Sequence, residues 1–237
     1  MKPLTEMAQS AQIFRNVPRM DVLDLISKGS VKEAERGASI HLQGERAHSL
    51  FIVLEGWVKL YRMSSCGNEA VVGVLSNGDC FGEAAAVPGE VFSTGAEAVA
   101  ASKLLQIDAQ DLWHAIDSDP VLCRAFLGAT LSDNRALVHQ LGQLKSHTAA
   151  QRIADFLLSL CKDEVGECIV VLPYDKVLIA GWLGMKPESL SRAFRRLEPY
   201  GVKIRKDRAL IQSVERLLAF ADEDPSKSWS EKAWKTS

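Results

Sequence analysis

The sequence predicts an α+β protein with an antiparallel β-domain first, one long helix in the middle and a small helical domain with a β-hairpin last. Short glycine-punctuated apolar runs fill residues 31–107, apolar residues follow a heptad spacing from 127 to 144, and two short helical patterns meet at a glycine turn near residue 184. At 237 residues the chain exceeds the common domain size of about 100–150 residues. We expect a first domain over 1–115, a central helix over 116–146, a second domain over 147–221 and a flexible tail over 222–237.

The first domain has the pattern of many short strands. The predicted strands are residues 39–42, 50–54, 57–61 and 70–75. Strands of about five residues with a turn every 8–12 residues are typical of an antiparallel sandwich or barrel. Gly56 and Gly78 stand in the turns, where glycine accepts a left-handed backbone at little cost. We therefore expect an antiparallel β-roll.

The central helix carries a seam with steps of three and four residues. Its members are Leu127, Thr130, Asn134, Leu137, Leu141 and Leu144. Such a seam either packs the helix on the β-domain or pairs it with a second copy in a coiled coil. A single polar residue within a seam, here Asn134, fixes register and oligomeric state in paired coils. We expect dimerisation through residues 121–146.

The second domain contains a helix–turn–helix pattern. Residues 175–183 form a short helix capped by Asp175, Gly184 makes the turn, and Pro187 opens a second helix over 187–197. In that helix Leu190, Phe194 and Leu197 face inward, and the opposite side faces solvent. This pattern, followed by a wing hairpin over 202–212, predicts a winged helix-turn-helix whose second helix enters the DNA major groove.

Charge supports DNA binding. The net charge of −2 hides a block at residues 186–208 with eight basic and three acidic residues. That block is either a solvated amphipathic surface or an electrostatic footprint for nucleic acid. Arginine reads guanine, and a carboxylate accepts a hydrogen bond from cytosine. We predict base reading by Glu188, Ser191 and Arg192. Contacts to the DNA backbone are predicted for Lys186, Ser189, Arg195, Arg196, Lys203, Arg205, Lys206 and Arg208.

Several functional classes lack support in the sequence. It contains no nucleophile elbow, phosphate-binding glycine loop or cluster of metal-ligand residues, so we expect no enzyme. Its five cysteines have no CxxC spacing, which argues against a disulfide framework or a zinc site. The first ten residues do not form a signal peptide, and no apolar stretch reaches the length of a membrane helix. We expect a cytoplasmic protein without membrane contact.

Four motifs together resemble the CRP/FNR family of bacterial transcription regulators over about residues 13–220. They are Gly37-x-x-Ile40-x-x-x-Gly44-Glu45, Phe51-Ile52-Val53-Leu54-x-Gly56-x-Val58-Lys59-Leu60, Gly78-Asp79-x-Phe81-Gly82-Glu83 and Glu188-x-x-Ser191-Arg192. The resemblance implies a cyclic-nucleotide-binding-like β-roll, a homodimer, RNA polymerase as a partner and, for the FNR-like branch, a palindrome of the TTGAT-N4-ATCAA type. It also implies an effector pocket at Gly82, Glu83, Phe92 and Ser93.

The effector is inferred from what the pocket lacks. Cyclic AMP needs an arginine to pair its phosphate, but Phe92 stands at that position and no arginine occurs between Arg62 and Arg124. An iron–sulfur cluster needs about four thiolates. The resemblance implies that most of them would lie near the N-terminus, and residues 1–65 contain no cysteine. Residues 172–196 and 50–62 most resemble the DNR and NnrR regulators of denitrification. That resemblance implies nitric oxide sensed through haem, with His139, His41 or His48 as the iron ligand. Another effector (a cyclic nucleotide or a redox signal) or constitutive activity is the alternative.

Overall fold

The structure, a computed structural model, describes residues 8, 11–14, 17, 19–161, 165–172, 176–205 and 207–223. The chain divides into two compact units, Met1–Arg135 and Ala136–Ser237, so the division falls inside the long helix. The predicted Asp175 cap, Lys206 and most of the tail lie outside the described residues. Among the helices that the structure describes, none has the length and apolarity to span a lipid bilayer.

The first unit contains two four-stranded antiparallel sheets, as the glycine-punctuated pattern predicts. The strands are β1 (Ser30–Ala34), β2 (Ser39–His41), β3 (Ser49–Glu55), β4 (Val58–Met63), β5 (Glu69–Leu75), β6 (Cys80–Phe81), β7 (Gly95–Ala98) and β8 (Ser102–Asp108). Their orders are β1-β8-β3-β6 and β2-β7-β4-β5. Strand β3 is buried along almost its whole length, which explains its unbroken apolar run. Both sheets contribute to a single core that includes Leu50, Val58 and Ala96.

Glycines fix two of the turns, as predicted. Gly56 and Gly78 have φ angles of 91° and 92°. A Cβ atom on Gly56 would also collide with the Ser102 Oγ and lie 2.6 Å from the carbonyl oxygen of Ala101. Position 56 therefore needs glycine for two reasons: its φ angle is positive, and its neighbours leave no room for a Cβ atom.

Three helices and a short turn of 3-10 helix at Gln12–Phe14 complete the first unit. They are α1 (Arg19–Lys28), α2 (Ala109–Ser118) and α3 (Pro120–Ser146), which continues into the second unit. The prediction that the central helix begins at residue 116 is wrong, because 116–118 are the last turn of α2. Asp119 breaks the helix with an extended backbone, and its Oδ1 accepts a hydrogen bond from the Val121 amide at 2.8 Å. Pro120 then opens α3, where a missing amide hydrogen costs nothing.

The second unit consists of helices and strands that include the predicted helix–turn–helix and wing hairpin. They are α4 (Ala149–Leu160), β9 (Cys168–Val171), α5 (Lys176–Trp182), α6 (Pro187–Arg196), β10 (Val202–Arg205), β11 (Arg208–Ile211) and α7 (Val214–Ala221). Thr148 forms a capping box with Gln151 at the start of α4. The Gln151 amide donates to the carbonyl oxygen of Glu223 at 2.6 Å, which ties the ends of α4 and α7 together.

Candidate nucleic-acid interface and sensor site

Helices α5 and α6 form the predicted helix–turn–helix. Gly184 has a φ of 61°, and the Met185 amide donates to the carbonyl oxygen of Ala180 at 2.9 Å, which closes the turn. Pro187 occupies the first position of α6 after an extended Lys186. The inward side of α6 is buried as predicted, and its members are Leu190, Ala193, Phe194 and Leu197.

The outward side of α6 gathers the predicted base-reading residues. Glu188, Ser191 and Arg192 are all exposed and lie on one face at spacings of three and four residues. Arg195 and Arg196 are exposed in the last turn, and Ser189 is half-buried. Among the described residues none of these charged side chains forms an internal ion pair, so their charges are available to an external partner.

The hairpin β10–β11 forms the predicted wing. Its inward side chains Val202, Ala209 and Ile211 are buried, whereas Lys203, Arg205 and Arg208 are exposed. Arg205 lies directly opposite Arg208 in the ladder. Like charges in that arrangement destabilise a hairpin, and the described part of the chain offers them no acidic partner. Phosphate groups would relieve this repulsion.

Helix α3 exposes a long apolar stripe. Leu122 and Phe126 are buried against the β-roll core, so packing on the β-domain accounts only for the start of the helix. The exposed members of the predicted seam are Leu127 (60%), Leu137 (60%), Leu141 (54%), Thr130 and Asn134, and the Leu144 side chain lies outside the described residues. Leu131 and Val138 widen the same stripe, and the heptad pattern omitted them. A large exposed apolar patch marks an interaction site.

The predicted effector pocket is only partly assembled. Gly82 has a φ of 84° and precedes the 3-10 turn Glu83–Ala86. A Cβ atom on Gly82 would lie 3.3 Å from the Phe92 ring. Phe92 is buried, Glu83 is half-buried and Ser93 is exposed. The ring of Phe92 therefore covers the glycine turn, and Ser93 lies on the surface.

The comparisons with known proteins agree with this architecture. Residues 31–119 match the cyclic nucleotide-binding domain family, and residues 151–220 match the Crp-like helix-turn-helix domain family. The nitrogen fixation regulation protein FixK of Rhizobium meliloti is 30% identical over 175 residues, which cover 74% of each chain. A crystal structure from Ruegeria pomeroyi, of a protein named for cyclic nucleotide binding, is 42% identical with a TM-score of 0.72, over 93% of this chain and 98% of that one.

The chain belongs to the CRP/FNR family. DNR from Pseudomonas aeruginosa is a further relative of known structure, at 26% identity and a TM-score of 0.51, over 93% of this chain and 98% of that one. The curated relatives are transcription regulators and not enzymes, so the fold and the DNA-binding class follow from family membership.

The histidines of this CRP/FNR regulator differ sharply in environment. His41 is 3% exposed and neither ring nitrogen has a hydrogen-bond partner among the described residues. His48 is exposed, with its Nδ1 3.2 Å from the Arg46 carbonyl oxygen. The side chain of His139 lies outside the described residues.

Burial lowers the pKa of His41 to about 4, and the Glu45 carboxylate opposes this only in part. An unpaired buried polar group costs about 1–3 kcal/mol.

A haem does not fit at His41 as its neighbours stand. The neutral imidazole is a suitable donor for iron. However, the ring of Phe92 stacks on it at 3.7 Å, and the centroids of Phe51 and Phe81 lie 5.9 and 5.8 Å away. These packed rings occupy the space beside the imidazole that a porphyrin would need. Around His48 the described contacts are the edges of Phe51 and Phe92 and the Arg46 carbonyl, which do not enclose a macrocycle.

The lowered pKa of His41 predicts a loss of stability in acid. The unfolded chain takes up a proton near pH 6.5, whereas the folded chain resists protonation down to about pH 4. Stability is therefore fully present above pH 6.5 and falls as the pH drops toward 4. We expect a loss of about 2 kcal/mol between pH 7.5 and pH 5 by urea unfolding. The variant His41→Phe should lose less over this range. Equal losses in wild type and His41→Phe would contradict this assignment.

Proposed function

We propose that the chain acts as a homodimer that binds a palindromic operator of the TTGAT-N4-ATCAA type and regulates transcription together with RNA polymerase. The observation that carries this proposal is the exposed face of α6, where Glu188, Ser191 and Arg192 stand without an internal ion pair in the described part of the chain. Family membership supplies DNA binding as the class of function. The exposed polar face supplies the residues that would select a sequence.

Each of these three side chains has a defined task in a major groove. Arg192 would donate two hydrogen bonds to O6 and N7 of a guanine. Glu188 would accept a hydrogen bond from the N4 amino group of a cytosine, and Ser191 can donate or accept. The operator half-site contains one G·C pair, so Arg192 and Glu188 would both read its centre. A mismatch there should cost about 1–3 kcal/mol in each half-site.

The wing and the flanks of α6 would hold phosphates and supply affinity without sequence information. We expect Lys203→Ala to weaken binding to all duplexes alike. It should also lower the slope of log K against log salt by about 0.9 for each lost phosphate contact, and hence by about two for a dimer. Fluorescence anisotropy over a salt series measures the slope. Lys32→Ala, which removes an exposed lysine from β1, should leave it unchanged. An unaltered slope in Lys203→Ala would place the wing away from DNA.

The dimer would form through the apolar stripe of α3. In a parallel coiled coil, equivalent heptad positions of the two helices face each other. Position 123 precedes Leu127 by four residues and therefore continues the seam, and its cysteine is exposed. Oxidation with copper phenanthroline should give a covalent dimer on a non-reducing gel. Cys123→Ser should abolish the product, whereas the matched control Cys66→Ser, in the β4–β5 turn, should not. A dimer in solution without the Cys123 cross-link would assign the interface to another surface.

For the effector we propose nitric oxide sensed through haem, on the resemblance of residues 172–196 to the DNR and NnrR regulators. The iron ligand would be His139, because it lies on the central helix at a position outside the seam of Leu137, Leu141 and Leu144. Haem would supply the iron that binds nitric oxide. The dimer would exist in two states of different affinity for DNA, and nitric oxide would shift the populations of these states. The test is an absorption spectrum of reduced, haem-reconstituted protein before and after nitric oxide, with His139→Ala as control. No stoichiometric Soret band in the wild type would refute the haem.

A cyclic nucleotide is the second candidate effector, because the Ruegeria pomeroyi relative is named for that ligand. Two observations weigh against it. Phe92 stands at the position of the phosphate-binding arginine, and its ring covers Gly82. A buried phosphodiester would therefore lack a cation to pair with. Titration with cyclic AMP should give no heat of binding, and saturable binding would make the cyclic nucleotide the effector.

A further inference from the structure

Strand β9 is an edge strand with an aliphatic outer face. The sheet has the order β10-β11-β9, so β9 pairs with β11 on one side. Cys168 and Val170 are buried, whereas Ile169 (63%) and Val171 (51%) are exposed. No function proposed above uses these two side chains. Edge strands are usually protected by charged residues, by proline or by a covering segment. An edge that carries exposed aliphatic residues therefore indicates that another segment covers it.

The backbone of the same two residues also points away from the sheet. The Leu172 amide donates to the carbonyl oxygen of Asp207 at 2.7 Å, across the ladder between β9 and β11. In an antiparallel ladder, successive residues direct their amide and carbonyl groups to opposite sides. Val170 therefore faces β11, and Ile169 and Val171 face the free edge. Within the described part of the chain no backbone hydrogen bond crosses that edge at either residue.

The C-terminal tail, residues 224–237, is long enough to reach this edge. It follows α7, and the amide of Val214 at the start of α7 donates to the carbonyl oxygen of Gly166 at 2.9 Å. Gly166 precedes Ile169 by three residues. A path back along α7 and through Gly166 to Ile169 measures about 25 Å. The fourteen residues of the tail span about 45 Å when extended.

The tail also contains the side chains that such an edge would bury. Trp229 and Trp234 are its two large apolar residues, and the sequence analysis assigns them no role. Tryptophan and β-branched residues are well suited to neighbouring positions in a sheet. Pro225 lacks an amide hydrogen, so the sequence does not favour a continuation of α7 through the tail. An extended segment with tryptophans fits an edge that exposes isoleucine and valine.

We propose that the tail adds to the free edge of β9 as a fourth strand. Its backbone pairs with Ile169 and Val171, and its tryptophans cover their side chains. Addition of a strand to an open edge is a common mode of peptide recognition. A tethered segment has an effective concentration in the millimolar range, so it outcompetes the same edge of a second molecule. The tail thereby prevents edge-to-edge association.

Amide hydrogen exchange of the full-length protein, resolved by residue, tests the proposal. In the wild type the amides of Ile169 and Val171 should exchange at least about tenfold more slowly than in the double variant Trp229→Ala/Trp234→Ala. The Val170 amide faces β11 and serves as an internal reference, so its exchange rate should be the same in both proteins.

Lys227→Ala/Lys232→Ala is the matched control, because it changes two residues of the same tail and leaves both tryptophans in place. It should keep the protection of the β9 edge. Free exchange of the Ile169 and Val171 amides in the wild type would overturn the inference, as would unchanged protection in the double tryptophan variant. Protection that appears only at high protein concentration would assign the edge to a second copy and would also overturn it.

A reciprocal variant tests the same contact from the side of the strand. Ile169→Lys places a charge on the edge and should move the indole N–H signals of Trp229 and Trp234 in NMR spectra to the positions of solvent-exposed tryptophan. Val31→Lys is the matched control, since Val31 is an exposed aliphatic residue (46%) on the edge strand β1 of the other unit. Indole signals that are identical in wild type and Ile169→Lys would contradict the docking of the tail on β9.

Discussion

Replacing Arg192 by alanine should lower the affinity for the TTGAT-N4-ATCAA duplex by at least tenfold and remove the preference for guanine at one position of each half-site. The arginine stands exposed in the middle of α6, at the spacing that places it beside Glu188. A bidentate contact to guanine discriminates by about 1–3 kcal/mol, and a dimer loses two of them. Because every 1.4 kcal/mol is a factor of ten, even the lower limit for two contacts exceeds tenfold.

The measurement is fluorescence anisotropy with the palindrome and with duplexes that carry each base at the guanine position. Arg196→Ala is the matched control, since this arginine lies on the same helix and is assigned to the DNA backbone. Arg196→Ala should lower the affinity for all duplexes by the same factor and leave the base preference unchanged. If Arg192→Ala retains the wild-type order of affinities for the four bases, Arg192 does not read the sequence.

Leu137→Glu should convert the dimer into a monomer and reduce affinity for the palindrome by more than a hundredfold. In the single chain this side chain is 60% exposed, so the glutamate costs the fold of the unit little. In a paired seam the same carboxylate would be buried without a partner, which is strongly unfavourable. A monomer contacts one half-site, and the second half-site no longer adds to its affinity.

Analytical ultracentrifugation and the same anisotropy assay measure both effects. Gly128→Glu adds an identical charge to α3 at a position where a side chain meets open space, and it should remain dimeric. A Leu137→Glu protein that is still dimeric and binds the palindrome with unchanged affinity would remove the α3 stripe from the interface.

The sequence predicts the DNA-binding unit well because local signals determine it. Gly184 and Pro187 mark the turn and the start of α6, and the apolar spacing of Leu190, Phe194 and Leu197 identifies its buried side. The β-roll is predicted less completely. Strand β1 is mostly polar and exposed, and β7 contains no large apolar residue, so their pairing with β8 and β4 depends on neighbours distant in sequence.

The burial of His41 shows most clearly where prediction from local patterns fails. On the sequence alone His41 is one of the iron-ligand candidates, and nothing in the local pattern marks it as buried. Its burial follows from phenylalanines that lie ten, forty and fifty-one residues further along the chain, which the two sheets bring together. The start of α3 differs from the prediction because of a local contact. The helix begins at Pro120 and not at residue 116, since the hydrogen bond from the Val121 amide to Asp119 separates α2 from α3.

The most direct test of the central claim, that α6 of a dimer reads a palindrome, compares two duplexes of equal length and base composition. One carries TTGAT-N4-ATCAA and the other a scrambled sequence, and anisotropy is recorded at one fixed salt concentration. We predict that two chains bind each palindrome, with an affinity about a thousandfold or more above that for the scrambled duplex, as is typical of specific regulators. Equal affinity for the two duplexes would contradict the account.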